Sequence, residues 1–125
     1  MLASWWGWLM LGVSDLAVSI LNHLRFSTTM PKKRPPREVW IEIRRVVWER
    51  DGRQCVRCKT SLTLKECHID HKISGKFGTN KLSNLRTLCR RCHVLRMDMR
   101  HRGMIAKALE DGIIPANWRD LVWED

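Results

Sequence analysis

The sequence predicts a small α+β domain stapled by a four-cysteine metal site and flanked by helices. Three observations carry that expectation. Cys55 and Cys58 form one C-x-x-C pair, and Cys89 and Cys92 form a second. Between the pairs, Ser61–Ile73 and Leu85–Leu88 have β character, separated by a loop-like stretch. On either side, segments with apolar residues at helical spacing supply a leading and a trailing helix. A chain of 125 residues makes one compact domain with tails, and a core of that size buries only about two thirds of the unfolded surface. A staple is therefore expected. Two C-x-x-C pairs suit tetrahedral zinc, and the odd fifth cysteine, Cys67, suits a reducing compartment more than a disulfide framework. Cys67 itself reads as a small buried residue.

The leading helix is expected over Glu38–Arg50, where Val39, Trp40, Ile43, Val46 and Val47 recur on one side and Arg44, Arg45, Glu49 and Arg50 lie largely on the other. Asp51-Gly52 ends it in a turn that leads into the first cysteine pair. If Ser61–Ile73 is a regular strand, Leu62, Leu64, Glu66, His68 and Asp70 share one face. Ser74–Ser83, with Gly75, Gly78 and Asn80, reads as a loop. Arg90 to about Arg102 reads as a helix carrying Cys92, His93 and Met97, with Gly103 as its breaker. Residues 104–125 form a helical C-terminal segment, in which Trp118, Leu121, Val122 and Trp123 close over the core.

The chain carries 23 Lys plus Arg against 13 Asp plus Glu, a net charge of +10, so its surface attracts polyanions and nucleic acid is the default partner. The charge is not evenly spread. Residues 1–29 hold only Arg25 and Asp15 among charged groups and are rich in Trp, Leu, Val and Ile. Three explanations are open for this apolar extension: a start assigned upstream of a true one at Met30, a membrane anchor, or a partner-binding helix. Asp15 in mid-run argues against a membrane span, and no basic residue precedes the run as a secretory signal requires. A cytoplasmic location, in a prokaryotic or phage-infected cell, is the expectation. Residues 30–37 form a Pro-rich, basic arm able to lie along phosphates, and residues 38–103 form the domain proper.

A site closed by four thiolates leaves no open position for substrate, so Cys55, Cys58, Cys89 and Cys92 are expected to hold a structural zinc. The chemistry belongs to the insert between them. Asp70 and His71 fall near the end of the first strand, Asn84 just before the second, and His93 directly after Cys92. A hairpin followed by a helix can bring Asp70 and His93 to one point, where a carboxylate and an imidazole suit a divalent cation that keeps open positions for water and phosphate. His71, pointing to the opposite strand face, is able to act as base without being a ligand. His68 shares the face of Asp70 and reads as a partly exposed strand histidine or an auxiliary ligand.

These residues resemble the HNH endonuclease family from about Val47 to Arg96: Cys55-x-x-Cys58, then Ile69-Asp70-His71-Lys72-Ile73, Ser83-Asn84-Leu85 and Leu88-Cys89-x-x-Cys92-His93. The resemblance implies a ββα-metal (His-Me finger) fold. It further implies Asp70 and His93 as ligands of the catalytic metal, His71 as general base, and Asn84 bracing the loop that orients the base. In-line attack of water without a covalent intermediate, leaving 5′-phosphate and 3′-hydroxyl ends, follows from the same resemblance. So does its likeness to phage-type or restriction-like members, with a packaging or restriction protein as a potential partner and no membrane.

The chemistry asks for such groups on its own terms. An imidazole, with an ordinary pKa of about 6.5, accepts a proton near neutrality, and general base catalysis is worth about 10²- to 10⁴-fold in rate. A divalent ion, magnesium or manganese being expected, stabilises charge on the phosphorane and the leaving oxygen. Lys72, Lys76 and Lys81 around the loop and Arg86, Arg90, Arg91 and Arg96 near the helix are the expected DNA contacts, and Arg100, His101 and Arg102 extend that patch. The competing class is a zinc-stapled DNA-binding module without catalysis, which shares the charge and cysteines but has no use for Asp70, His71 and His93 together.

Overall fold

The computed structural model describes residues 35–125; the expected apolar extension and the first part of the basic arm lie outside them. The first element, helix α1 (Arg37–Arg50), buries Val39, Glu42, Ile43 and Val47 on one stripe and leaves Ile41 half exposed. The apolar spacing of four residues from Val39 to Ile43 to Val47 produces this stripe. The helix stops where Gly52 takes φ +77° and its N–H bonds the Glu49 carbonyl. A residue with a Cβ resists that left-handed conformation, which is why Asp51-Gly52 works as a stop.

The chain then divides into two interleaved compact units. One comprises Val47–Asp70 and Arg86–Asp125. Within it a short bridge pairs Gln54 with Ser61 around the first cysteine pair, and Trp48 donates its indole N–H to the Leu62 carbonyl at 2.8 Å. Strands β1 (His68–His71) and β2 (Leu85–Leu88) form a two-stranded sheet, each with all but one residue in this unit. Helix α2 (Arg90–Leu95), a 3₁₀ turn (Met99–His101), helix α3 (Arg102–Glu110) and a final 3₁₀ turn (Trp118–Leu121) complete it. Val94, Leu95, Ala108 and Ile114 make one core, with Trp118 and Trp123 packed against it; Cys55, Leu88 and Cys92 make another, also against Trp123. Burial of each large aliphatic side chain contributes about 1.5–3 kcal/mol.

Two expected elements are shorter than the sequence suggested. The strand expected from Ser61 begins only at His68, because Thr63 and Glu66 bond each other's backbone N–H and Thr63 O accepts from the amides of Glu66 and Cys67. Those local side-chain bonds offer the backbone a turn in place of a ladder. The helix expected to run from Arg90 to about Arg102 ends at Leu95. Arg96 is extended, and the Leu95 carbonyl and Met97 amide pair with the backbone of Trp123 across a parallel bridge. Met97, expected on the helix, is exposed, and Gly103 lies inside α3 rather than ending a helix.

The other unit joins Met1–Val46, of which 35–46 are described, to His71–Leu85. Its loop from Lys72 to Asn84 contains two 3₁₀ turns, Gly75–Phe77 and Leu82–Asn84, and closes on itself through Lys72 N–H to the Asn84 carbonyl at 2.8 Å. Gly78 permits the closure by its lack of bulk, not by an unusual φ: a Cβ there meets the Ile73 carbonyl oxygen at 2.4 Å. Gly78→Ala should therefore destabilise the protein by about 1–3 kcal/mol, the usual range for overpacking. A urea-denaturation midpoint unchanged by Gly78→Ala would contradict this.

Candidate functional site

The two cysteine pairs are built alike. Cys58 N–H points at Cys55 Sγ at 3.5 Å, and Cys92 N–H at Cys89 Sγ at 3.4 Å, so each pair turns one sulfur toward its own backbone amide. In the first pair Lys59 adopts φ +66° to complete the turn. Cys55 N–H bonds the Thr60 carbonyl, and Val56 N–H bonds the Thr87 carbonyl of β2, so the sheet holds the first knuckle. All four sulfurs lie within 4.8 Å of one another, and Cys58 Sγ is 3.8 Å from Cys89 Sγ. Tetrahedral zinc, with bonds of about 2.3 Å, asks for sulfurs about 3.8 Å apart. Cys67 stands apart as expected: it is buried, in no disulfide, and its thiol reaches the Leu64 carbonyl.

Cys58 is lowered to about 6, chiefly because the Thr60 side chain bonds its sulfur, with burial opposing. Burial raises Cys92, the first cause, and the neighbouring Cys89 sulfur raises it further. A dication among the four sulfurs removes that opposition by favouring every thiolate at once. The pairs therefore suit zinc.

The same unit holds a cluster of buried polar groups. Asp70 is 1 % exposed. Its carboxylate accepts from Arg86 Nε at 2.8 Å and from Arg96 Nη1 at 3.0 Å. Arg86 in turn donates through both terminal nitrogens to Asp125 at 2.6 and 2.9 Å, and Arg86 also lies over the Trp123 ring. His93 Nε2 is 3.6 Å from Asp70 Oδ1, too far for a hydrogen bond. Its Nδ1 is 3.0 Å from His68 Nδ1, and its ring meets that of His101 edge-on at 4.7 Å. Burial, followed by the neighbouring His101 and His68, lowers His93 to about 3, so it is neutral at physiological pH. An oxygen of Asp70 and one nitrogen each of His93 and His101 lie within 4.8 Å of one another. His101 is buried, and its Nδ1 has no hydrogen-bond partner among the described residues. Leaving such an atom unsatisfied costs about 1–3 kcal/mol.

In the other unit His71 and Asn84 are both engaged, though not with each other by any described side-chain bond. His71 Nε2 lies 2.8 Å from Asn80 Oδ1, and its ring stacks parallel to Trp40. A carbonyl oxygen only accepts, so the pair requires the proton on Nε2 and leaves the lone pair on Nδ1. Asn84 Oδ1 accepts from Ile73 N–H, while its Nδ2 donates to the carbonyls of Ile73 and Thr79. It ties both ends of the 72–84 loop.

Residues 55–98 match the family model described as HNH endonuclease. This stretch is similar to the HNH endonuclease domain, a nuclease-type, metal-binding family. The match includes both cysteine pairs, Asp70, His71, Asn84 and His93, and stops short of His101. No curated protein and no solved structure shows significant similarity to the chain.

The expected DNA contacts divide. Lys72, Lys76, Lys81 and Arg91 are exposed, and Lys76 lies over the exposed Phe77 ring. Arg90 pairs with Asp111 at 2.6 Å. Arg86 and Arg96, expected at the DNA surface, are instead committed to Asp70, because a buried carboxylate requires partners. From the sequence, Asn80 is only a loop residue and His101 only an extension of the basic patch. Asn80 belongs to a loop of unremarkable composition, and His101 reaches His93 only because the chain breaks at Arg96.

Structural zinc in small sites supplies about 10–16 kcal/mol, as much as the whole stability of an ordinary domain. Cys89→Ser should then abolish stoichiometric zinc by elemental analysis and the cooperative unfolding transition with it; retention of both would remove zinc from this site. Asn84→Asp keeps the bond from Ile73 N–H but sets an oxygen against two carbonyls. A loss of about 1–3 kcal/mol in chemical denaturation is expected.

Proposed function

We propose that the chain is a metal-dependent endonuclease that hydrolyses DNA phosphodiester bonds with His71 as general base. The observation that carries this reading is the His71–Asn80 pair: with Nε2–H held by an asparagine oxygen, Nδ1 is the nitrogen that takes a proton from water. Trp40 limits the ring's rotation, and Asn84 holds the loop on which Asn80 stands. Asp70 and His93 hold a divalent ion, which when bound supplies charge stabilisation for the phosphorane and the leaving oxygen. Asp70 and His71 are consecutive in β1, and successive strand residues face opposite ways, so one residue binds while the next accepts a proton. Lys72, Lys76, Lys81 and Arg91 bind phosphates, which orients the duplex without reading its sequence.

A second reading, a zinc-stapled DNA-binding module, draws support from the two guanidiniums on Asp70, which balance its charge without any ion. Cleavage of supercoiled plasmid by the zinc-loaded full chain, with and without added magnesium or manganese, separates the two. The endonuclease reading expects ion-dependent cleavage that His71→Ala lowers by at least about 100-fold, with DNA binding retained. Salt-sensitive binding without cleavage under any of these ions establishes the module instead.

A further inference from the structure

We infer that His101 is a third protein ligand of the divalent ion held by Asp70 and His93, giving one carboxylate and two imidazoles that favour manganese over magnesium. The inference rests on the reading that Asp70 and His93 hold that ion, and goes beyond it by adding a residue outside the matched HNH segment.

His93 has two neighbours for its two nitrogens: His68 at Nδ1 and Asp70 at Nε2. The 3.0 Å contact is a hydrogen bond, whereas 3.6 Å is not. When the proton sits on His93 Nδ1 and donates to His68, a bare Nε2 faces a carboxylate oxygen. Two lone pairs facing each other in a buried place are repulsive unless a cation lies between them. His68 then serves as the outer partner that sets the tautomer and orientation of a metal-bound imidazole.

His101 also offers an open nitrogen. Its buried Nδ1 has no partner among the described residues, and its Nε2 lies 3.9 Å from Asp98 Oδ2. The unsatisfied nitrogen belongs to the residue that completes a group with Asp70 and His93 within 4.8 Å. Metal–ligand bonds of about 2.0–2.2 Å place neighbouring donors about 3–4 Å apart, so a small closure of the group suffices. Arg96, which pairs with Asp70, also lies 3.6 Å from Asp98 and 3.8 Å from Asp125, so other carboxylates stand ready to take its charge.

Two imidazoles change the metal preference. Magnesium takes oxygen ligands and keeps its waters, while imidazole nitrogen suits transition metals. Manganese accepts the mixed set and competes poorly with zinc for the four thiolates.

The test titrates the zinc-loaded full chain with Mn²⁺, following free ion by electron paramagnetic resonance and counting coupled imidazole nitrogens by electron spin echo modulation. The expectation is one Mn²⁺ with two imidazole nitrogens, resistant to a large excess of Mg²⁺. His101→Ala should weaken Mn²⁺ binding by at least about 10- to 100-fold, the cost of losing even an outer partner, and leave one nitrogen. Retained zinc and unchanged circular dichroism show that the variant is folded; should it not fold, the nitrogen count on the wild type decides alone. A single coupled nitrogen in the wild type, or His101→Ala binding as wild type while His93→Ala loses the ion, overturns the third ligand and leaves the two-ligand site standing. Failure of the wild type to bind Mn²⁺, or normal binding by His93→Ala, overturns the underlying site as well.

Discussion

Four sulfurs from two places far apart in the chain come within 4.8 Å of one another, and the unit that contains them is registered on that convergence. The first knuckle bonds β2 through Val56, and the second opens α2 with Cys89 as its cap. Trp123, arriving from the other end of the sequence, donates to the Cys92 carbonyl and packs against both cores. Thiolates are costly to gather without a cation, and in a site of four cysteines that takes a metal ion, folding and metal binding are one equilibrium.

The same unit holds a second concentration of polar groups. Asp70, Arg86, Arg96 and His93 are all largely buried, with His101 beside them. Buried charge persists in a small domain only where partners satisfy it, and it costs stability compared with a well-packed apolar replacement. The members come from β1, β2, α2 and the turn that follows it, so only folding gathers them. Arg86 and Arg96, which composition alone assigns to DNA, support that cluster, whereas Lys72, Lys76, Lys81 and Arg91 are exposed.

Much of the candidate site was legible before the fold. The spacing of Cys55, Cys58, Cys89 and Cys92, the pair Asp70-His71, and Asn84 and His93 in order all lie in short local patterns whose chemistry is carried by residue type. Asn84 bonds the backbone of Ile73 and Thr79, whereas Asn80 is the residue that bonds His71. Both asparagines suit a loop, and nothing local distinguishes the one that faces an imidazole from the one that faces two carbonyls. The strand starting at Ser61 and the helix extending to Arg102 were misread for a shared reason. Periodicity cannot register a side chain that bonds the backbone, as Thr63 and Glu66 do, or a distant segment that takes over backbone partners, as Trp123 does at Leu95 and Met97.

By itself, the sequence determined the residue types: two cysteine pairs at metal-ligand spacing, a carboxylate between them, an imidazole directly after the second, and an excess of basic side chains. It also determined α1, whose apolar stripe and glycine stop are local properties. Tertiary structure decided the partners. The break at Arg96 turns the chain so that His101 returns to His93, and burial of Asp70 draws Arg86 and Arg96 inward. Residue type travels with the sequence, whereas hydrogen-bond and ion-pair partners depend on which groups folding removes from water together.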